Sequence, residues 1–196
     1  MTPRRGRSFS PTAIRSGPRG PRSPGVSPPG SGCCGAGTSV SALRRERDDV
    51  RGQAGVRFLI LAEGINDIGY HADAGALIDG MKTIAGRAHR AGIRVVGATI
   101  TPYGCDGGCF GPEQEATRRQ VNAWVRTSAV FDGVADFDAA IRDPQEPSRV
   151  LPAYQADPLH PNVAGQRAMA EAIDLRRFGI LPPAARTGGR DVTSPW

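Results

Sequence analysis

The sequence predicts an α/β layered fold with parallel strands, and three observations carry that reading. A short, nearly continuous apolar run, Val56 to Ala62, has the character of a parallel strand covered on both faces. Leu77, Met81, Ile84 and Ala88 then recur at helical spacing. The same alternation of strand and helix repeats twice more before the chain ends, which is the pattern of parallel strands joined by right-handed crossovers.

Taken in order, residues 1–38 are Pro, Arg, Gly and Ser with almost no large apolar side chains, so the expectation there is a disordered tail. Val40 to Arg51 reads as a weakly amphipathic helix with Leu43 and Val50 as its large apolar residues. Val56 to Ala62 reads as a central strand, and Glu63 to His71 as the loop that follows it. The helix carrying Leu77 and Met81 stops at Gly92, where a residue free to take positive φ suits a C-terminal cap.

Ile93 to Ile100 is a second strand, ended by Thr101-Pro102-Tyr103-Gly104 and a Gly-rich loop. Pro112 and Glu113 open the next helix, with Thr117, Val121, Trp124, Val125 and Ser128 as its inward stripe. Val134 to Phe137 is a third, short strand. After a proline-broken loop, Asn162 caps a last helix bearing Ala168, Met169, Ala172 and Ile173. This organisation gives a tail over 1–38, one layered domain over 39–180 and a flexible C-terminal tail over 181–196.

The charge is unevenly spread, and that limits what it says about partners. The chain of 196 residues carries 25 Lys and Arg against 19 Asp and Glu. Eight arginines precede the first acidic residue, Glu46, and setting them aside leaves 17 basic residues against 19 acidic ones. The basic character therefore belongs to the tail, and no specific nucleic-acid partner is expected; a basic-tail interaction protein would show itself by salt-sensitive polyanion binding lost on deleting 1–38. No apolar run approaches the roughly 20 residues needed to span a bilayer, and no apolar stretch follows the first arginines as an export signal requires.

Two short motifs carry chemistry. Gly64-Ile65-Asn66-Asp67 directly follows the first strand. A fixed asparagine amide can stabilise the charge that builds on a carbonyl oxygen during acyl transfer, and losing one such donor costs about 3 to 4 kcal/mol. Gly64 lets the backbone turn, and Asp67 can brace the loop by accepting from backbone N–H groups. An ordinary turn accounts for the same string.

The second motif is Asp157-Pro158-Leu159-His160-Pro161-Asn162. A histidine acting as general base needs its other ring nitrogen oriented, and a carboxylate three residues earlier on a proline-stiffened turn reaches it. A helix cap closing a loop is the plainer alternative. Cys105 and Cys109, flanking Asp106-Gly107-Gly108, are either two thiols or a small disulfide on the rim of the site. His71 and His89 lack neighbours at ligand spacing, so no metal is expected, and His89 reads as a solvated residue near a helix end.

Together these segments resemble the later part of the SGNH (GDSL-type) hydrolases over about Ser41 to Ile173. Phe58 to Gly69 is similar to that family's third block, and Asp157-x-x-His160-Pro161-Asn162-x-x-Gly165 to its fifth. Thr101 to Gly104, Val121 to Trp124 and Asp136 to Ala140 resemble its connecting segments. The resemblance implies a flavodoxin-like three-layer α/β/α sandwich and hydrolysis of small-molecule, polysaccharide or lipid esters through an acyl-serine. It implies Asn66 as oxyanion donor, His160 as base and Asp157 as its orienting carboxylate. It implies no cofactor, and it implies export, which this N-terminus does not encode.

The family's first block, a Gly-Asp-Ser string after the first strand, has no counterpart here, and neither does the second. Serines 8, 10, 16, 23, 27 and 31 follow no apolar strand, so the nucleophile is unassigned. The expectation is a domain lacking its first strand or strands, with the edge of Phe58 to Ala62 open and the isolated chain either poorly stable or paired through that edge. A shifted reading frame or start upstream of Ser41 would account for the departure, and a Gly-Asp-Ser string in another frame of the coding DNA would show it. The alternative function is a catalytically inactive remnant, or a ligand- or partner-binding protein of the same fold.

Overall fold

The computed structural model describes residues 41–106 and 109–178. The tails read over 1–38 and 181–196 lie outside the described residues. Three parallel strands form the sheet in the order β1 (Phe58–Leu61), β2 (Arg94–Ala98) and β3 (Gly133–Ala135). Leu59 stands opposite Val95 in one ladder, and Gly97 opposite Val134 in the other.

Helices cover both faces, as the sequence pattern requires. α1 (Ala42–Glu46) runs on into a π-helical turn, Arg47–Arg51, and buries Glu46 against Arg51 and Arg87. α3 (Ala74–Arg90) begins at Asp73, whose carboxylate accepts from the Ala76 N–H at 2.8 Å, and ends at Ala91 before Gly92 turns with φ of 74°. Its stripe of Leu77, Met81, Ile84 and Ala88 packs with Val121 and Val125 of α4 (Pro112–Thr127), forming the larger core. On the opposite face, α6 (Val163–Glu171) and the residues after it set Met169, Ala172 and Ile173 against Val96, Ala98, Ala135 and Phe137.

Four differences from the sequence reading have physical causes. The segment read from its apolar character as a central strand, and from the missing first block as an open edge, lies at the edge of the described sheet, with Ile60 42% exposed, and β2 takes the centre. Cover by helices on both faces makes a strand apolar whatever its number of neighbours, so the two positions look alike in sequence. The loop expected after β1 contains a short helix, α2 (Ile65–Gly69), started by the Ile68 N–H donating to the Gly64 carbonyl at 3.0 Å.

The third strand stops at Ala135 because Asp136 caps α5 (Phe137–Ile141), accepting from the Ala139 N–H at 3.1 Å. His89 is more than a solvated residue near a helix end, since its Nε2 meets the Asp132 carboxylate at 2.8 Å. That carboxylate also accepts from the Val95 N–H at 2.7 Å.

Candidate functional site

Because the strands are parallel, their carboxyl ends and following loops gather along one edge of the sheet, where open α/β folds place their chemistry. A cleft of about 170 Å³ opens there, lined by Ala62, Glu63 and Ile65 after β1, Thr99 to Thr101 after β2, and Phe137 and Met169 from the other face. The wall after β2 is fixed from within. Asn122 of α4 is fully buried and answers both polar groups of Ile100, accepting from its N–H at 2.7 Å and donating to its carbonyl at 2.8 Å.

Arg118 completes that brace. Its side chain, 2% exposed, donates to the Ile100 carbonyl at 3.0 Å, to Asp138 at 2.6 Å and through two nitrogens to Glu115. A guanidinium this deep is held by paired carboxylates rather than by water. Burial pulls its pKa down, but Glu115 and Asp138 outweigh burial and leave it raised.

Gly64 sits where the chain turns from β1 into α2, with φ of 115°. That φ is what asks for glycine, while a Cβ there would stand 2.9 Å from the tip of the Ile100 side chain, which would have to shift. Asn66 follows in the first turn of α2, exposed, next to Ile65 of the cleft. Asp67 is buried beneath that turn, and its carbonyl accepts from the N–H groups of Tyr70 and Ala72.

Asp157 and His160 come together in the loop before α6. One Asp157 oxygen accepts from the backbone N–H groups of Leu159 at 2.8 Å and His160 at 2.7 Å, and the other lies 2.8 Å from His160 Nδ1. The His160 backbone N–H, its imidazole and the Leu159 N–H together hold the Asp157 carboxyl down at about 2. With Nδ1 occupied by an acceptor, the ring's proton belongs there, and Nε2 is left as the basic nitrogen. The His160 side chain is 57% exposed. Neither residue lines the cleft itself; α6, which they precede, contributes Met169 to it.

The rim after β2 is closed by a Cys105–Cys109 disulfide with Cα atoms 5.5 Å apart. The Gly104 N–H donates to the Ser148 carbonyl at 2.8 Å, Arg149 pairs with Asp106, and Tyr103 meets Phe110 edge to face. Among the described residues no group of three His, Cys, Asp or Glu side chains is placed to hold a metal, and no helix is long and apolar enough to cross a membrane.

The buried pair Arg118 and Asn122 was missed as part of the site. Its signal was present, since 118, 121, 122 and 125 fall at helical spacing with two polar residues among them.

The fold is similar to three solved structures. A GDSL-like lipase from Bacteroides thetaiotaomicron superposes with a TM-score of 0.57 at 18% identity, covering 71% of this chain and 70% of that one. A structure assigned to the G-D-S-L lipolytic family from Desulfitobacterium hafniense gives 0.56 at 18% identity, over 67% of this chain and 70% of its own. One assigned as an acylhydrolase from Bacteroides fragilis gives 0.57 at 19% identity, over 70% and 68%. A search of curated proteins finds no match. The model of the GDSL-like lipase/acylhydrolase family matches residues 6–168, a range that begins well before the resemblance noted from Ser41 onward. With most of its length matched, this chain belongs to the GDSL-like lipase/acylhydrolase family.

Proposed function

We propose that this chain hydrolyses carboxylic esters, with His160 as general base, Asp157 as the carboxylate that orients it and Asn66 as a donor to the oxyanion. The observation that carries the reading is the Asp157–His160 contact, which leaves Nε2 as the basic nitrogen of an exposed side chain. In this scheme a serine hydroxyl loses its proton to His160 Nε2 as its oxygen attacks the ester carbonyl. The Asn66 amide stabilises the oxygen that becomes negative, and His160 returns the proton to the departing alcohol. Water, activated by the same nitrogen, then releases the acid. Gly64 and Asp67 shape the turn that presents Asn66, and the substrates are small-molecule, lipid or polysaccharide esters.

The test is hydrolysis of a short-chain activated ester by the full chain, with His160→Ala and Asn66→Ala alongside. A rate lost in both variants supports the assignment, and the serine responsible can then be trapped with an acylating inhibitor. The sequence contains no Gly-Asp-Ser string, which favours a second reading, a ligand-binding protein of the same fold. A folded sample with no rate above its variants would select that reading.

A further inference from the structure

We propose that Asn162 is a positioning residue for the Asp157–His160 pair, acting through its side-chain amide; this rests on the reading of His160 as the base. The loop carrying the pair is closed at its foot by an antiparallel bridge between Gln155 and Pro161, and the Ala156 N–H donates to the His160 carbonyl at 2.9 Å. Asn162 stands immediately beyond that foot and holds three successive carbonyls of the incoming segment. Its backbone N–H donates to Tyr154 at 2.7 Å, and its Nδ2 donates to Ala153 at 2.9 Å and to Gln155 at 3.1 Å.

Its Oδ1 meanwhile accepts from the Gly165 N–H at 3.0 Å and so caps α6. A helix cap needs only that acceptor, and serine or aspartate supplies it as well as asparagine. The two amide donations are additional, and serine and aspartate cannot supply both. They tie the start of α6 to the Pro152–Tyr154 turn and to Gln155, fixing where the loop leaves the body of the protein.

Gly165 shows how tight this joint is, since a Cβ there would lie 2.7 Å from the Tyr154 carbonyl oxygen. The loop beyond the joint is exposed at both Asp157 and His160, so little packing holds the pair in place. The hydrogen bonds at the foot therefore set its direction, and a displacement of about 1 Å in a reacting group is worth about 100-fold in rate.

The experiment is nitrogen-15 NMR of the histidine rings in the full chain, which contains three histidines, with Asn162→Ser and Asn162→Asp as variants. Circular dichroism melting runs beside it. In the wild type the neutral His160 ring is expected to carry its proton on Nδ1. Both variants keep the cap, so they should melt near the wild type while the ring reverts to the Nε2–H form that free histidine prefers.

Variants that keep the wild-type ring pattern would overturn the proposal and leave Asn162 as a cap alone. Variants that no longer fold would overturn it too, by assigning the residue to the fold as a whole. A wild-type ring protonated on Nε2 would instead overturn the base assignment, and the proposal with it.

Discussion

Replacing Arg118 by methionine is expected to destabilise the protein by about 3 kcal/mol, near the low end of the roughly 3 to 5 kcal/mol lost when one partner of a buried ion pair is removed. The low end follows from what remains. Asp138 keeps Arg126 at 2.5 Å and Arg142 at 3.2 Å, Glu115 keeps Arg119 at 2.8 Å, and the Ile100 carbonyl keeps Asn122. No carboxylate is left buried alone. What is lost is the more deeply buried of the cations that join α4 to α5, Arg126 remaining, and the bond to the Pro147 carbonyl at 3.3 Å.

The assay is equilibrium urea unfolding. A slope of about 2 kcal/mol per molar turns that loss into a midpoint shift of about 1.5 M. In a thermal melt it corresponds to roughly 10 °C for a domain of this size. Arg119→Met, one residue along and exposed, is the control and should change stability by about 0.5 kcal/mol or less. An Arg118→Met loss below about 1 kcal/mol, or one no larger than the control's, would refute the claim that Arg118 braces the site from below.

Two further expectations follow from local geometry. Asp157 has a folded-state value of about 2, below its ordinary value of 3.8, so the stability it contributes is complete above the ordinary carboxylate range and is lost as pH falls through about 2. The carbon-13 signal of its carboxyl should therefore titrate with a midpoint near 2, and a midpoint near 4 would show that the bonds to Leu159 and His160 do not form in solution. Gly97→Ala places a Cβ 2.5 Å from the Phe131 ring and should cost about 1 to 3 kcal/mol, with most of that recovered on a Phe131→Leu background. Equal costs in the two backgrounds, measured by urea unfolding, would exclude that collision as the cause.

Much of this architecture was legible in the residues, and the exceptions share a cause. The α3 stripe, Gly92 as its stop, Asn162 as a cap and the Asp157–His160 spacing are local signals, each settled within a few residues of chain. Arg118 shares a helical face with Val121, Asn122 and Val125, but an arginine beside another arginine in a charged helix reads as solvated, so that signal named no partner. Its partners Asp138 and the Ile100 carbonyl lie 20 and 18 residues away. The rank of β1 in the sheet was likewise decided by tertiary neighbours. Asn66 was legible as a residue type after a strand, but its place on a helical turn depended on Ile68 being drawn into the core.

Among the described residues the two cores lie on opposite faces of the sheet, and β2 contributes to both. Val95 belongs to the side of α3 and α4, and Val96 and Ala98 to the side of α6. The turn that carries Asn66 sends Ile68 into the first core, and the helix that follows His160 sets Met169 against the second, so the odd and even positions of one five-residue strand face the two. A slip of β2 by a single residue would exchange the faces, turning Val95 toward the histidine's helix and Val96 toward α3. The placement of the two motif-bearing segments is therefore written in the parity of a strand that carries neither motif.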